Sequence, residues 1–461
     1  MDESTPNPRT PLRGDGIPGL TPSLARLTPV QWLICGIAAL GFVFDLYEVL
    51  MLPLIVRPAL TTLGNMRPGT PAFNLWAGLL FFIPTATGGV FGLLGGYLID
   101  LLGRRRVLVW SILLYAFSAC AASYATSISQ LVVFRCTTMI GVCVEYVAAL
   151  TWLAELFPHP KRRESVLAYT QAFYTLGGLM AAGAYYLAVT YSDRLPAIRA
   201  SHEAWRYALL SGLIPAIPLI IVRPFLPESP IWREKKSQGT LKRPSITELF
   251  QPALRRTTLV TMLLVACSVA LAFGALQQTV RVVPGLAEMR NLAPRQVEQS
   301  ASSVQMFQEL GGLTGRVIFA LLITHIVSQR RRMRIFLGPA LFAFAWLYFF
   351  AATHSLTLLW LGIFLATMLF NGLHSFWGNY LPRIFPTHLR GTGESFAMNV
   401  GGRAIGVSAA LLTTQLANVM PGSSAGARLA HSAGTVAVLA CVIGLVGSFW
   451  LHEPEQAQLP D

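Results

Sequence analysis

The sequence has few charged residues. Only 12% of its 461 residues are Asp, Glu, Lys or Arg, whereas 54% are hydrophobic. Soluble domains carry about 25% charged residues, so this composition excludes an ordinary water-soluble enzyme. It also excludes an intrinsically disordered chain, because a chain this apolar would not remain solvated.

Cysteine is also scarce, and several functional signatures are missing. The six cysteines all fall inside apolar segments without metal-ligand spacing, which is typical of small buried side chains and predicts no metal site. No phosphate-binding loop of the type G-x-x-x-x-G-K-[ST] and no Ser/His/Asp arrangement is present, so neither an ATP-driven pump nor a membrane enzyme is predicted. No cofactor is predicted either.

Long apolar segments dominate what remains. About 12 of them reach the roughly 20 residues that a helix needs to cross a bilayer. They lie near 32–56, 75–100, 107–125, 131–157, 166–191, 207–225, 257–283, 304–327, 335–353, 358–380, 391–417 and 430–451. The sequence therefore predicts an all-α polytopic membrane protein with 12 transmembrane helices, surrounded by lipid.

Polar stretches divide the chain into predicted units. These are a disordered tail at 1–30, a six-helix bundle at 31–226, a linker loop at 227–256, a second bundle at 257–452 and a tail at 453–461. The first tail has no apolar stretch of the kind that marks a secretory signal.

The net charge of +14 is explained by the loops. With the N-terminus placed inside, about 22 basic residues fall in cytoplasmic loops and about nine in outer ones, as the positive-inside rule requires. This bias predicts that both termini are cytoplasmic and that nucleic acid is not a partner. The absence of a targeting segment and the Arg-rich composition favour a bacterial inner membrane.

The two bundles are related in sequence. Glu155-Leu156-Phe157-Pro158 parallels Arg383-Ile384-Phe385-Pro386, 228 positions later (155 to 383). The same offset places Arg104 and Arg106 opposite Arg332 and Arg334. Two related six-helix halves that face each other across a midplane cavity are a transporter architecture.

Several motifs carry a family resemblance. Residues 96–106, GYLIDLLGRRR, are followed by ELFP at 155–158, PESPIW at 227–232 and FPT at 385–387. In this order they resemble the major facilitator superfamily, and particularly its sugar-porter and organic-acid symporter branches. The resemblance covers nearly the whole chain, and it implies two six-helix halves that transport a solute by alternating access.

The resemblance also implies a set of gating residues near the cytoplasmic surface. They are Gly96, Asp100, Gly103, Arg104, Glu155, Arg162, Arg163, Glu228 and Arg390. The second-half copy of the loop has Ser328 opposite Asp100, so the sequence predicts an asymmetric latch with its acids in the first half.

Acidic residues inside predicted membrane helices are expected to be functional, because burying them in lipid is costly. Asp45 and Glu48 share a face of the first helix at i, i+3, and such a pair favours proton binding. By resemblance, Asp45 partners Arg135 on the fourth helix and couples proton movement to transport. A permanent structural pair is the alternative, and Glu48 is either a second coupling acid or an acid at the outer mouth. Glu145 is a further proton-coupling residue, a substrate contact or a brace.

Polar residues of the second half are predicted to line the substrate site. They are Gln277, Gln278, Glu309, Arg316, Asn371, His374, Trp377, Asn399 and Arg403. Buried arginines favour an anion through bidentate carboxylate contacts, whereas the paired glutamines resemble the sugar-binding glutamines of sugar porters. Glu309 and Arg316 lie two turns apart on one face and are expected to pair with each other or with the eleventh helix.

The sequence thus predicts a monomeric, proton-coupled symporter of a small organic solute, with an organic or aromatic acid favoured. A sugar:proton symporter, an uncoupled facilitator or an exporter are alternatives. A transporter-like sensor is the alternative from a different class, and the short tails disfavour it.

Overall fold

The computed structural model describes residues 27–157, 166–167, 170, 173–238, 246–322, 326, 328–386 and 389–453. Its membrane helices are labelled α1 to α12 in chain order. They are α1 (Pro29–Gly64), α2 (Pro71–Leu102), α3 (Arg104–Ser123), α4 (Ile128–Leu156), α5 (Leu176–Tyr191), α6 (Ala204–Phe225), α7 (Arg255–Arg281), α8 (Pro294–Leu322), α9 (Gln329–His354), α10 (Leu356–Tyr380), α11 (Thr392–Leu416) and α12 (Ala425–Trp450).

Within the described ranges, 10 of these helices are long and apolar enough to span a membrane. The other two are α5, of which 16 residues form the described helix, and α8, which carries Glu298, Glu309 and Arg316. The predicted all-α, 12-helix fold is confirmed. The eighth helix begins at Pro294, ten residues before the predicted start at 304, because its first turns are polar and apolar content alone could not locate them.

Local sequence signals explain where the helices begin. Thr28 accepts a hydrogen bond from the Gln31 amide while the Gln31 side chain accepts one from the Thr28 amide, a reciprocal capping box. Ser127 and Ser355 cap α4 and α10, where their side-chain oxygens accept hydrogen bonds from the Gln130 and Leu358 amides. Each cap satisfies amides that have no partner within the helix.

The halves α1–α6 and α7–α12 meet along α2 with α11 and α5 with α8. Glycines permit this approach. A Cβ at Gly178 of α5 would lie 2.3 Å from the Glu309 carboxyl carbon of α8, and one at Gly89 of α2 would lie 2.8 Å from the Arg403 Cβ of α11. Glu309 and Arg403 are therefore held at the interface between the halves.

Polar contacts join the halves at the end of the bundle that holds the α1–α2 loop, called the α1–α2 end below. Glu298 of α8 accepts from Arg57 of α1 at 2.6 Å and from the Tyr185 hydroxyl of α5 at 2.6 Å. Asn74 donates to Asn418 at 2.8 Å, and Arg295 pairs with Asp193. These contacts close the α1–α2 end in this conformation.

Candidate functional site

A fully buried ion pair links α1 to α4. The Arg135 Nη1 atom lies 3.4 Å from Glu48 Oε2, and Arg135 Nη2 donates to the Glu48 carbonyl at 2.8 Å. Both side chains are 1% exposed. The expected Asp45–Arg135 contact is therefore wrong in this conformation, because Arg135 reaches α1 one turn further along, at Glu48.

Asp45 lies near this pair but is not part of it. It is 1% exposed, and neither carboxylate oxygen has a hydrogen-bond partner among the described residues. The charged groups within electrostatic range are Glu145, Arg223, Arg403 and Glu48. A buried carboxyl group without a donor is suited to carry a proton, since an unpaired buried charge is expensive.

A second buried pair joins Glu145 of α4 to Arg223 at the end of α6. Arg223 also donates to the Leu108 carbonyl at 3.3 Å. Gly41 makes room for the pair, because a Cβ there would lie 2.3 Å from Arg223 Nη2. The sequence reasoning missed Arg223, although a basic residue inside the sixth apolar segment was a signal. Of the three interpretations of Glu145, this contact fits the brace most directly.

Aromatic residues of the first half face an arginine of the second. The Arg316 guanidinium of α8 lies 5.9 Å from the centre of the Tyr174 ring, across the interface between the halves. The Tyr146 and Tyr174 rings are 6.3 Å apart at 63°. Both tyrosines are half-buried and lie within electrostatic range of Arg316, Arg403 and Asp45. Sequence reasoning missed both, because an aromatic residue in a membrane helix usually indicates packing.

Arg316 is held by α10. Its Nη2 donates to Asn371 Oδ1 at 3.3 Å, while Glu309 accepts from Gln308 at 3.2 Å. The expected pairing of Arg316 with Glu309 or with α11 is therefore wrong. We name Tyr146, Tyr174, Arg316, Asn371 and Arg403 the central cluster.

Two further residues predicted to contact substrate lie on α10, one and two turns beyond Asn371. The His374 Nδ1 and Trp377 Nε1 atoms have no hydrogen-bond partner within the described part of the chain. The His374 ring lies 5.8 Å from that of Phe370. Trp377 packs against Phe376, with ring centres 5.2 Å apart, and is only 2% exposed, so Trp377 is mainly a packing residue here.

Arg403 lies in an irregular part of α11. Residues Ala397–Gly406 adopt π-helical turns, which occur frequently at functional sites. Arg403 Nη1 donates to Asn399 Oδ1 at 2.9 Å, and Asn399 Nδ2 donates to Ser395 at 3.0 Å. This chain of contacts orients the half-buried Arg403 beside α2.

The two glutamines of α7 follow another irregular stretch. Leu271–Ala275 is π-helical and Leu276–Arg281 is 3₁₀-helical. Gln278 donates to the Phe273 carbonyl at 2.8 Å and accepts from Arg281 at 2.6 Å. Gln277 Oε1 has no partner among the described residues. Of the pair, Gln277 has the side-chain oxygen that accepts no hydrogen bond within the described residues and is open to a ligand hydroxyl.

At the opposite end, which holds the α2–α3 loop, Glu228 caps α3. Its carboxylate accepts from the Arg104 amide at 3.0 Å and the Arg105 amide at 3.2 Å. Gly103 permits this because its φ is +95° and a Cβ there would lie 2.6 Å from Glu228 Oε2. Arg104 also pairs with Glu155 at 2.9 Å.

The remaining predicted gating residues are described in part. Gly96, Asp100 and Arg390 are described only in their backbone, and Arg162 and Arg163 lie outside the described residues.

The second half repeats the Glu228 arrangement. Glu453 accepts from the Gln329 amide at 2.9 Å and the Arg330 amide at 2.8 Å. Arg330 donates to the Leu451 carbonyl, as Arg105 does to that of Leu226. The offset here is 225 (228 to 453, 105 to 330, 226 to 451), so the predicted match of Arg104 with Arg332 is wrong.

This register also corrects one premise of the predicted asymmetric latch. Ser328 precedes α9 as Gly103 precedes α3, so it stands opposite Gly103 rather than Asp100. Glu453, assigned to the C-terminal tail, supplies an acid to the second half. Partial burial raises the pKa of Glu453, but hydrogen bonds from the Arg330 and Gln329 amides and the Ser328 hydroxyl bring it below its ordinary value overall.

Comparison with known proteins agrees with this arrangement. Residues 51–411 match the family described as "Major Facilitator Superfamily". The chain is 28% identical over 386 residues to the probable 4-methylmuconolactone transporter of Cupriavidus pinatubonensis, covering 82% of this chain and 84% of that protein. It is 27% identical over 395 residues to the 4-hydroxybenzoate transporter PcaK of Pseudomonas aeruginosa, covering 81% and 84%.

The fold has solved counterparts. A crystal structure of D-xylose-proton symporter superposes with a TM-score of 0.68 at 18% identity, covering 90% of this chain and 97% of that one. At this identity the likeness establishes the fold alone. The family match and the helical architecture together show that the chain belongs to the Major Facilitator Superfamily of multi-pass membrane transporters.

Proposed function

We propose that the protein is a proton-coupled symporter of small organic acids, with a preference for aromatic monocarboxylates. The observation that carries this proposal is the placement of Arg316 over Tyr174 across the interface between the halves. A guanidinium group binds a carboxylate through two parallel hydrogen bonds, and tyrosine rings offer faces on which a planar ring packs.

The rest of the central cluster suits the same ligand. Asn371 holds Arg316 in place, and Arg403 adds a second cation within electrostatic range of both tyrosines. Two relatives named as transporters of 4-methylmuconolactone and 4-hydroxybenzoate support this choice. The partial commitment of Gln278 to Arg281 makes the sugar alternative weaker.

Asp45 is our choice for the coupling proton. It has no hydrogen-bond donor among the described residues, and it lies within electrostatic range of Arg403, Arg223 and Glu145. A proton on Asp45 removes a negative charge near the site where an anion must bind. Proton and substrate then favour the same conformation, which is the thermodynamic requirement for symport.

The basic loops orient the protein. We place the α2–α3 end and both termini in the cytoplasm of a bacterial cell, with the protein acting as a monomer in the inner membrane. The closed α1–α2 end then faces outward.

Uptake into proteoliposomes tests the proposal. We expect 4-hydroxybenzoate to accumulate when the outside is acidic, with no accumulation of xylose. Arg316→Gln should raise KM by about 10- to 100-fold, because a hydrogen bond to a charged group contributes about 1.5–3 kcal/mol. The neutral amide of the same compound is the matched control, and any transport of it should be insensitive to this change.

Each alternative has its own outcome. Accumulation of xylose but not of 4-hydroxybenzoate would replace the acid with a sugar. Equilibration without accumulation would indicate an uncoupled facilitator, and acid-driven exit alone an exporter. Absence of any solute flux would favour the transporter-like sensor.

A further inference from the structure

Arg281, at the end of α7, is a buried cation that has no acidic partner within the described ranges. It is 7% exposed, and it forms no salt bridge with any carboxylate that the structure describes. Its Nη1 donates to Gln278 at 2.6 Å, while its Nε has no hydrogen-bond partner among the residues that the structure describes. Burial of a cation that is not neutralised is unfavourable, and an anionic ligand would supply the missing negative charge.

Three other buried arginines of this protein have acidic partners. Arg135 lies against Glu48, Arg223 against Glu145 and Arg104 against Glu155. Arg281 departs from this arrangement.

A small cavity lies beside Arg281 at the α1–α2 end. It is lined by Arg57, Arg281 and Glu298 together with apolar side chains of α1, α7 and α8. Glu298 does not compensate Arg281, because one of its oxygens binds Arg57 and the other accepts from Tyr185. The charges that line the cavity therefore sum to one excess positive charge, which belongs to Arg281.

The cavity is positioned between the halves. The Arg281 guanidinium lies 5.5 Å from the centre of the Phe73 ring of α2, in the opposite half. Opening of the α1–α2 end would draw Arg281 away from Phe73 and expose both. Gln277 and Gln278 lie on the same helix, about one turn before Arg281.

We propose that Arg281 and Gln278 form an outer subsite that binds the carboxylate of an organic anion before it reaches Arg316. Phe73, which the guanidinium now covers, offers a face for a planar ring. This inference rests on the proposed transport of organic acids. It adds a second contact with the solute, at one end of the protein only. The subsite acts on solute that arrives from the α1–α2 end and not on solute that arrives from the other end.

Sidedness is what the experiment measures. Initial rates of 4-hydroxybenzoate transport are compared in right-side-out and inverted membrane vesicles. For Arg281→Gln we expect KM at the α1–α2 side to rise about tenfold and KM at the opposite side to stay within twofold of wild type. Arg290→Gln is the matched control, because Arg290 is an exposed arginine at the same α1–α2 end, nine residues after Arg281 in the sequence. This variant should change KM on neither side.

A second variant keeps the test informative if Arg281→Gln does not fold. Arg281→Lys retains the buried charge but loses the planar fork, so we expect a rise of about threefold at the α1–α2 side alone. Equal changes on both sides would indicate a merely structural role and would overturn the inference, as would an unchanged KM at the α1–α2 side in every variant that folds.

The proposed function fails differently. In that case wild-type vesicles of both orientations would transport no 4-hydroxybenzoate, and the outer subsite would lose its ligand with it.

Discussion

Removal of Glu48 should destabilise the protein far more than removal of an exposed acid. Glu48 and Arg135 are each 1% exposed, so Glu48→Gln leaves a guanidinium buried without a counter-charge. Breaking a buried pair in this way costs about 3–5 kcal/mol, which changes the unfolding equilibrium by about 2.2 to 3.7 powers of ten. Asp193→Asn is the matched control, because the Arg295–Asp193 pair is 44% and 68% exposed and is worth about 0–1 kcal/mol.

The two partners should not be equivalent. Arg135→Gln leaves a carboxyl group, which can become neutral by binding a proton, whereas the arginine left by Glu48→Gln cannot lose its charge. We therefore expect Glu48→Gln to be the more destabilising, and a double replacement with Leu and Met to recover part of the loss. Denaturant titration in detergent micelles measures these differences. A cost for Glu48→Gln no greater than that of Asp193→Asn would refute this reasoning.

Three further predictions concern the two ends of the bundle. Glu453→Gln should destabilise the protein by about 0.5–1 kcal/mol at pH 7. Because the pKa of Glu453 is lower in the folded protein, this difference is present above about pH 4.5. Thermal unfolding should show it vanish as the pH falls through the folded-state pKa. Gly103→Ala should slow transport turnover, since its φ is +95° and a Cβ would meet the Glu228 carboxylate. Gly183→Ala is the control and should not slow turnover, because a Cβ at Gly183 would meet open space. Equal turnover rates of the two variants would contradict a gating role for Gly103. Glu298→Gln should shift the equilibrium about fivefold toward the form that is open at the α1–α2 end, because it removes a contact worth about 1 kcal/mol. Spin-label distances between the two halves should then become longer at this end. Unchanged distances would show that Glu298 does not hold the α1–α2 end closed.

The sequence predicted the helices well because 10 of the membrane helices in the described ranges are long apolar segments. It failed at the start of α8, where polar residues such as Glu298 serve contacts between the halves. Such contacts depend on another helix and leave no periodic pattern.

Partners within the site were harder to predict than the residues themselves. Asp45 and Glu48 share one face of α1, and only the depth at which α4 passes decides that Arg135 meets Glu48. Likewise, the motif copies at 155 and 383 differ by 228 positions, whereas the capped starts of α3 and α9 differ by 225 (104 to 329). A single sequence offset could not reveal that Glu453 repeats the role of Glu228.

The most direct test of the central claim is proton movement driven by substrate. In proteoliposomes that contain a pH-sensitive dye, addition of 4-hydroxybenzoate without an imposed gradient should acidify the lumen in step with its uptake. In Asp45→Asn the substrate should still equilibrate while this proton flux disappears. Undiminished acidification by the Asp45→Asn protein would contradict the account.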